Sequence, residues 1–182
     1  MRDQLDDLTR LALAARCGDH AALERLVQAS QPQVWRTCAH LLDCASADDM
    51  TQETYLRAVR ALPAFRADAS VMTWLLSIAR RVVADEIAQR IRHRRITTAL
   101  EAAPGPHHGH VPEAVELADA LDRLDPDRRT AFVLTQLTGM SYAEAAEVCG
   151  CPVGTIRSRV SRARSDLLEH WHAGEPRLVG TA

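Results

Sequence analysis

The residues between Ser141 and Arg164 are of types and spacings suited to gripping DNA without covalent chemistry. Ser141-Tyr142-Ala143-Glu144 is a capping box, in which the Ser hydroxyl closes a helix start and the Glu carboxylate reaches back to it. The short helix expected over 142–149 stops at Gly150, Cys151-Pro152 turns the chain, and Pro152 suits the first position of a second helix. Two helices joined by a short Gly-containing turn form the helix-turn-helix of DNA-binding proteins. In the second helix Val153, Ile156, Val160, Ala163 and Leu167 recur at spacings of three and four, which predicts one buried stripe. The opposite face carries Gly154, Ser158, Ser161 and Ser165, small enough for close approach to base edges. Arg157 and Arg162 flank that face, with Thr155 beside Arg162, and guanidinium groups there reach phosphates or guanine edges. No acid interrupts 153–165. An arginine-rich helix alone reads as a solvated face; the cap, the turn, the stripe and the acid-free surface together point to DNA.

The rest of the chain must hold this pair in place, and its composition predicts helices. Of 182 residues 47% are hydrophobic and 4% aromatic, with Gly and Pro at 8 each. The abundant Ala, Leu and Arg lose little on entering a helix. The expected fold class is all-α: two small helical domains, an N-terminal bundle and a C-terminal helix-turn-helix domain, joined by a flexible linker. The segment 102–112, Ala-Ala-Pro-Gly-Pro-His-His-Gly-His-Val-Pro, lacks helical periodicity and marks that linker. The expected division is 1–95, a linker over 96–112, and 113–182. Helices are expected over 3–16, 20–43, 47–62 and 71–92, then over 113–124, 126–137, 142–149 and 153–170. Pro32 is a point where the second helix bends or breaks. Gly18-Asp19 stops the first helix and caps the second, and Ser46 is the expected N-cap of the third, with Asp48 and Asp49 in its first turn. The tail from Gly174 is expected to fray.

The net charge of −2 announces no global basic field, but acids crowd 3–7 and 48–53 while arginines crowd 90–95 and 157–164. Such segregation suits a protein meeting both a basic partner and DNA, and equally an ordinary protein with solvated helix faces. Five scattered cysteines (Cys17, Cys38, Cys44, Cys149, Cys151) and no signal peptide imply reduced thiols and a cytoplasmic protein. No apolar run nears the ~20 residues that span a bilayer, so no membrane contact is expected. Cys149 and Cys151 read as small core and turn residues. His107, His108 and His110 lack carboxylate or Cys neighbours, so no metal and no cofactor is expected.

The run Ser141-Tyr142-Ala143-Glu144-Ala145-Ala146, followed by Cys151-Pro152-Val153-Gly154-Thr155-Ile156-Arg157-Ser158-Arg159-Val160, closely resembles the region 4 signature of bacterial extracytoplasmic-function (ECF) sigma factors of the sigma-70 family. Arg162-Ala163-Arg164 fits the end of that pattern. The run from Ala47 to Ala58 resembles the family's polymerase-binding segment in region 2, and Phe65, Trp74-Leu75, Ile78-Ala79-Arg80 and Asp85 fall where its promoter-melting segment lies. The resemblance spans about 40–170, in the family's order. It implies a protein without catalysis that directs RNA polymerase core enzyme to promoters, with an anti-sigma factor as its usual regulator. Region 2 would bind polymerase and the single-stranded −10 element, and the helix-turn-helix would read the −35 element as duplex. Implied −35 contacts are Thr155, Arg157, Ser158, Ser161 and Arg162. Implied −10 contacts are Phe65, Asp68, Ser70, Trp74, Arg80 and Arg81, and Asp48, Asp49, Gln52, Glu53 and Leu56 would face polymerase. The family often carries Asn where this chain has Arg81, which bears on −10 base preference.

Helical wheels fit this division. Over 47–62, Tyr55, Ala58, Val59 and Leu62 share a side expected to be buried, while Leu56 sits opposite among Asp49, Gln52, Glu53 and Arg60, an apolar centre with a polar rim. Over 71–92 the expected stripe is Val71, Leu75, Ile78 and Val82, with Trp74 and Arg81 together on another side, able to cradle an unstacked base. The competing reading is an operator-binding helix-turn-helix regulator working without polymerase, although nothing resembles a dimerisation helix or an effector pocket. A polymerase-binding decoy is a third, against which the intact arginines count.

Overall fold

Helix boundaries in this chain follow from a few side chains. In the computed structural model, which describes residues 2–97 and 112–174, every regular element is helical. Helix α1 (Arg2–Arg16) ends before Gly18, whose φ of +97° is a turn conformation that only Gly adopts cheaply. Asp19 then caps α2 (His20–Leu41) by accepting the Ala22 N–H at 2.9 Å. Contrary to expectation, α2 runs through Pro32 unbroken. Pro32 and Gln28, the residue one turn earlier whose carbonyl loses its bond, are both exposed, so water takes up the missing donor.

Helix α3 (Ala47–Ala61) corrects a second expectation, because the Ser46 side chain does not cap it. The Ser46 hydroxyl instead accepts from Arg90 at 2.5 Å, and Arg90 also binds Asp43 and Glu86, each at 2.7 Å. This network ties the α2–α3 corner to α4 (Val71–Thr97). Helix α4 starts at Ser70, whose hydroxyl accepts the Thr73 N–H at 3.1 Å. Its expected stripe of Val71, Leu75, Ile78 and Val82 is buried, but so are Met72, Leu76, Ala79 and Val83. A helix buried on two sides needs partners on both. Helices α1, α2 and α3 supply one side, and the second group of helices supplies the other.

That group comprises α5 (Pro112–Asp122), α6 (Pro126–Phe132), α7 (Tyr142–Cys149) and α8 (Val153–Gly174). Asp125 caps α6 by accepting the Asp127 and Arg128 N–H groups, and the helix passes into a π-turn over Val133–Leu137. Residues 98–111, including His107, His108 and His110, and the tail 175–182 lie outside the described residues.

The two groups dock. Helix α7 lies against α4, and Gln33 donates to the Thr138 carbonyl at 3.5 Å. The strongest tie is Arg129 at the end of α6, which donates to the carbonyls of His40 (2.6 Å) and Leu42 (3.1 Å) while paired with Asp122 at 2.5 Å. Those carbonyls close α2, where the last turn lacks backbone partners and the dipole favours a cation. Arg129 is therefore a C-terminal cap supplied by the other group of helices.

The same seam half-buries His40. Burial, then the charges of Arg129 and Arg36, hold its pKa below the ordinary 6.5. The folded state thus prefers neutral His40, so its stabilisation is complete above pH ~6.5 and is lost as pH falls through the depressed value. Thermal melts at stepwise lower pH should show wild type losing more stability than His40→Gln; parallel losses would exclude this residue as the cause.

Candidate nucleic-acid interface

The helix-turn-helix forms as its residues dictate. Glu144 N–H donates to the Ser141 hydroxyl at 3.2 Å, and Ser141 N–H donates to the Glu144 carboxylate at 2.8 Å, completing the capping box. Gly150 ends α7 with φ +63° and ψ +39°, the left-handed conformation of a helix stop. Pro152 sits one residue earlier than expected, preceding α8, and its carbonyl accepts from Thr155 (2.9 Å) and Ile156 (3.3 Å). Burial pushes the Cys149 thiol up to about 11, so it stays protonated and is a poor metal ligand.

On α8, Ile156, Val160 and Ala163 are buried as expected and Leu167 is half-buried, but Val153 is 37% exposed. It occupies the first turn, which projects beyond the helices packed beneath. The arginines divide into two sets. Arg159 pairs with Asp127 of α6 and reaches the Cys151 sulfur at 3.7 Å, and Arg164 donates to the Gln136 side chain at 2.5 Å. Both serve the fold. Arg157 and Arg162 are exposed and make no hydrogen bond or ion pair with the described residues. Gly154, Ser158 and Ser161 lie exposed between them, with Thr155 half-buried alongside. The surface is cationic, open and shallow enough for duplex DNA.

A second candidate surface lies at the start of α4. The 64–70 loop, with Thr73, Trp74 and Ser77, lines a cleft of about 280 Å³. Phe65 is 4% exposed, its ring 4.9 Å from that of Trp74 and tilted by 44°. It therefore backs Trp74 instead of offering a face of its own, and Arg16 holds the loop by donating to the Phe65 carbonyl at 2.7 Å. The Ser70 hydroxyl is committed to capping α4. Trp74 is half-buried, whereas Asp68 and Arg81 are exposed. Arg80 departs from the group. It faces a separate cavity of about 170 Å³ between α4 and α6, beside Asp127 and Arg129. The sequence reading missed Thr73 and Ser77 of α4 and, from across the seam, Glu147 on α7, which completes the cleft wall. Nothing in the linear sequence links position 147 to positions 64–77.

The third surface is the outer side of α3. Leu56 is 48% exposed, and so is Val59 at 46%, which the wheel had placed inside; Thr51, Thr54 and Ala58 are the buried positions. The true buried arc is rotated away from Val59, and the half-buried Tyr55 shares a hydrogen bond with Ser30 at 2.7 Å. Asp49 and Gln52 are exposed, Asp48 accepts from the Trp35 indole at 2.8 Å, and Glu53 pairs with Arg57, which also reaches Asp85.

Comparison with known proteins gives consistent matches. The family model for sigma-70 region 2 matches residues 26–93, and that for sigma-70, region 4 matches residues 114–167. A probable RNA polymerase sigma-C factor of Mycobacterium bovis is 52% identical over 167 residues, spanning 88% of this chain and 89% of that one. The ECF RNA polymerase sigma-E factor of Escherichia coli is 32% identical, over 92% of this chain and 95% of its own. Among solved structures, CnrH in complex with the cytosolic domain of CnrY aligns with a TM-score of 0.74 at 26% identity, over 93% of this chain and 99% of that one. The sigma factor RpoE bound to the anti-sigma factor NepR, from Bartonella quintana, aligns with a TM-score of 0.71 at 27% identity, covering 84% and 98%.

The division of arginines on α8 has a measurable consequence. In urea titrations Arg159→Ala should cost about 0.5–1 kcal/mol, the upper range for a partly exposed ion pair, while Arg157→Ala should stay within about 0.5 kcal/mol of wild type. Equal losses would contradict the assignment of separate roles.

Proposed function

The chain belongs to the ECF group of the sigma-70 family, and from that premise we propose how its surfaces share the work of promoter recognition. It is an alternative sigma factor. Its task is to bring RNA polymerase core enzyme to a promoter, with no catalysis of its own. The N-terminal domain, 1–95, docks on polymerase and holds the −10 element; the C-terminal domain, 113–182, reads the −35 element; the segment 96–112 joins them.

The observation that carries this reading is the pair of unpaired, exposed arginines on α8 beside a line of small residues. Arg157 and Arg162 contact the −35 duplex, with Thr155, Ser158 and Ser161 completing the face. Arginines left without acid partners on both sides of one face draw a polyanion, and duplex DNA supplies the missing counter-charge. In the −10 cleft, Trp74 backed by Phe65 offers a stacking wall for an unpaired base, with Asp68 in the cleft wall and Arg81 exposed further along α4. Ser70 contributes by fixing the start of α4, and Arg80 reaches DNA only from outside its present cavity. Leu56 and Val59 form the apolar centre of the polymerase-facing surface, ringed by Asp48, Asp49, Gln52 and Glu53. Among the described residues no helix is long and apolar enough to cross a membrane, in keeping with work on DNA. An anti-sigma factor, of the kind seen bound to the Bartonella relative, is the expected protein regulator.

Two outcomes test this division. Arg157→Ala and Arg162→Ala should each weaken −35 recognition by about 1–3 kcal/mol if bidentate to guanine, measured by promoter binding of reconstituted holoenzyme. Unchanged affinity in both would remove α8 as the reader. Leu56→Asp should abolish co-purification with core polymerase and leave the circular dichroism spectrum unchanged, and normal co-purification would reject the α3 surface.

A further inference from the structure

The 64–70 loop of the cleft has little of its own to keep it in shape. The Phe65 N–H returns to the Leu62 carbonyl at 3.0 Å, and from Arg66 to Ala69 no group is hydrogen-bonded to any described residue. In the middle stands Ala67 with φ +59°, the one non-glycine residue in the left-handed region among those described. A Cβ makes that conformation unfavourable, so the loop keeps it only where the chain is fixed on either side. Both fixings come from α1. Before Ala67, Arg16 in the last turn of α1 donates to the Phe65 carbonyl at 2.7 Å. After it, the Val71 N–H donates to the Thr9 hydroxyl at 3.2 Å. The first N–H groups of a helix lack partners within it; Ser70 takes the Thr73 N–H, and Thr9 takes that of Val71. Thr9 and Arg16 are two turns apart on one side of α1, about 10 Å along its axis.

We propose that α1 is a splint for the single-strand cleft, with Arg16 and Thr9 as positioning residues that hold the two ends of the 65–71 segment and thereby set which unpaired base the cleft prefers. This rests on the assignment of the α4 cleft to the −10 strand. The coupling runs through covalent neighbours. The carbonyl that Arg16 grips belongs to Phe65, whose buried ring backs Trp74. The N–H that Thr9 grips opens the turn of α4 that carries Trp74 itself. With both ends held, the strained Ala67 and the walls on either side of it keep one shape. With either end released, Ala67 relaxes, the loop samples several shapes, and a cleft of several shapes discriminates poorly between bases. Neither positioning residue needs to touch the strand.

The test uses holoenzyme reconstituted from the full-length chain and core polymerase, with a template pool that carries a fixed upstream duplex selected by the wild-type holoenzyme and an unpaired segment of random sequence. Bound templates are sequenced, and the enrichment of the preferred base at each unpaired position is read beside overall affinity. Arg16→Ala and Thr9→Val should each lower that enrichment about three- to tenfold, at the low end of what a mismatched base costs. Arg16→Lys keeps a donor and Thr9→Ser an acceptor, and both should restore most of it. Affinity for the fully duplex upstream site should stay within about twofold of wild type in all four, because α8 is distant from the changes. Arg16 is exposed, so its replacement leaves the packing intact and the test decisive even where Thr9→Val destabilises. An Arg16 that merely touches phosphate gives another pattern: affinity falls alike for every sequence, its salt dependence becomes shallower, and Thr9→Val is silent. That pattern overturns the splint, and so does unchanged enrichment in Arg16→Ala. Failure of the cleft assignment shows separately, as enrichment that Trp74→Ala leaves unchanged, and the splint falls with it.

Discussion

The structure turns on one guanidinium. Arg129 stands at the end of α6, yet its donors are spent on the closing carbonyls of α2, in the other group of helices. A helix end needs partners for its last carbonyls, and the nearest residues of α2 supply none: Leu42 turns its own N–H back to Cys38. A charged donor at such a site contributes about 1.5–3 kcal/mol, far more than the same side chain in water. Asp122 beside it neutralises the charge as the seam removes it from solvent. The remaining features of the docked state follow from that fixed point. With α6 pinned to the end of α2, α7 falls along α4, Met72, Leu76, Ala79 and Val83 lose their contact with water, and Glu147 arrives at the cleft.

A comparable economy governs α8. Four arginines lie within eight residues, and which of them are available is decided by acids and amides on neighbouring helices, not by the arginines themselves. Asp127, in the first turn of α6, claims Arg159, and Gln136 claims Arg164. The two claimed arginines orient the helix; the two left over stay exposed on the face proposed to meet DNA. If that face meets DNA as proposed, Arg157 and Arg162 have no partner among the described residues to give up on binding, so desolvation is the main cost of the contact.

Much of this was legible in the sequence, and the exceptions share a cause. The capping box, the Gly150 stop, the Asp19 cap and the α4 stripe are local, set by residues within a turn or two of each other, and periodicity reads such features directly. Val59 and Val153 were expected inside because a wheel assigns burial from the residue's own chemistry, while Tyr55 and the exposed first turn of α8 set the actual faces. Ser46 has the right type for a cap, but Arg90, forty-four residues on, took its hydroxyl. Phe65 reads as a free aromatic until Trp74 lies over it. The choice of Arg157 and Arg162 over Arg159 and Arg164 came from the helical wheel, whereas what leaves the first two unpaired, the placing of Asp127 and Gln136, is tertiary. Glu147 and the seam left no sequence signal at all, since no spacing rule connects α7 to the 64–70 loop.

The seam between the two groups of helices is one that water can enter. A solvent-open cleft of about 170 Å³ lies between α4 and α6, lined in part by the exposed Asp122, Pro126 and Asp127. The seam's polar ties go to carbonyls that water can satisfy once the groups part, so opening strands no buried donor or acceptor. Each term lowers the cost of separation without removing the preference for the closed state. A partner that binds only the separated form must supply the difference, and its apparent affinity falls by the closed fraction. RNA polymerase would supply it if it engages α3 and spreads the two groups along a promoter as proposed. A protein that grips both groups at once would add to it instead, and the same weak seam would then serve activation and restraint through a single equilibrium.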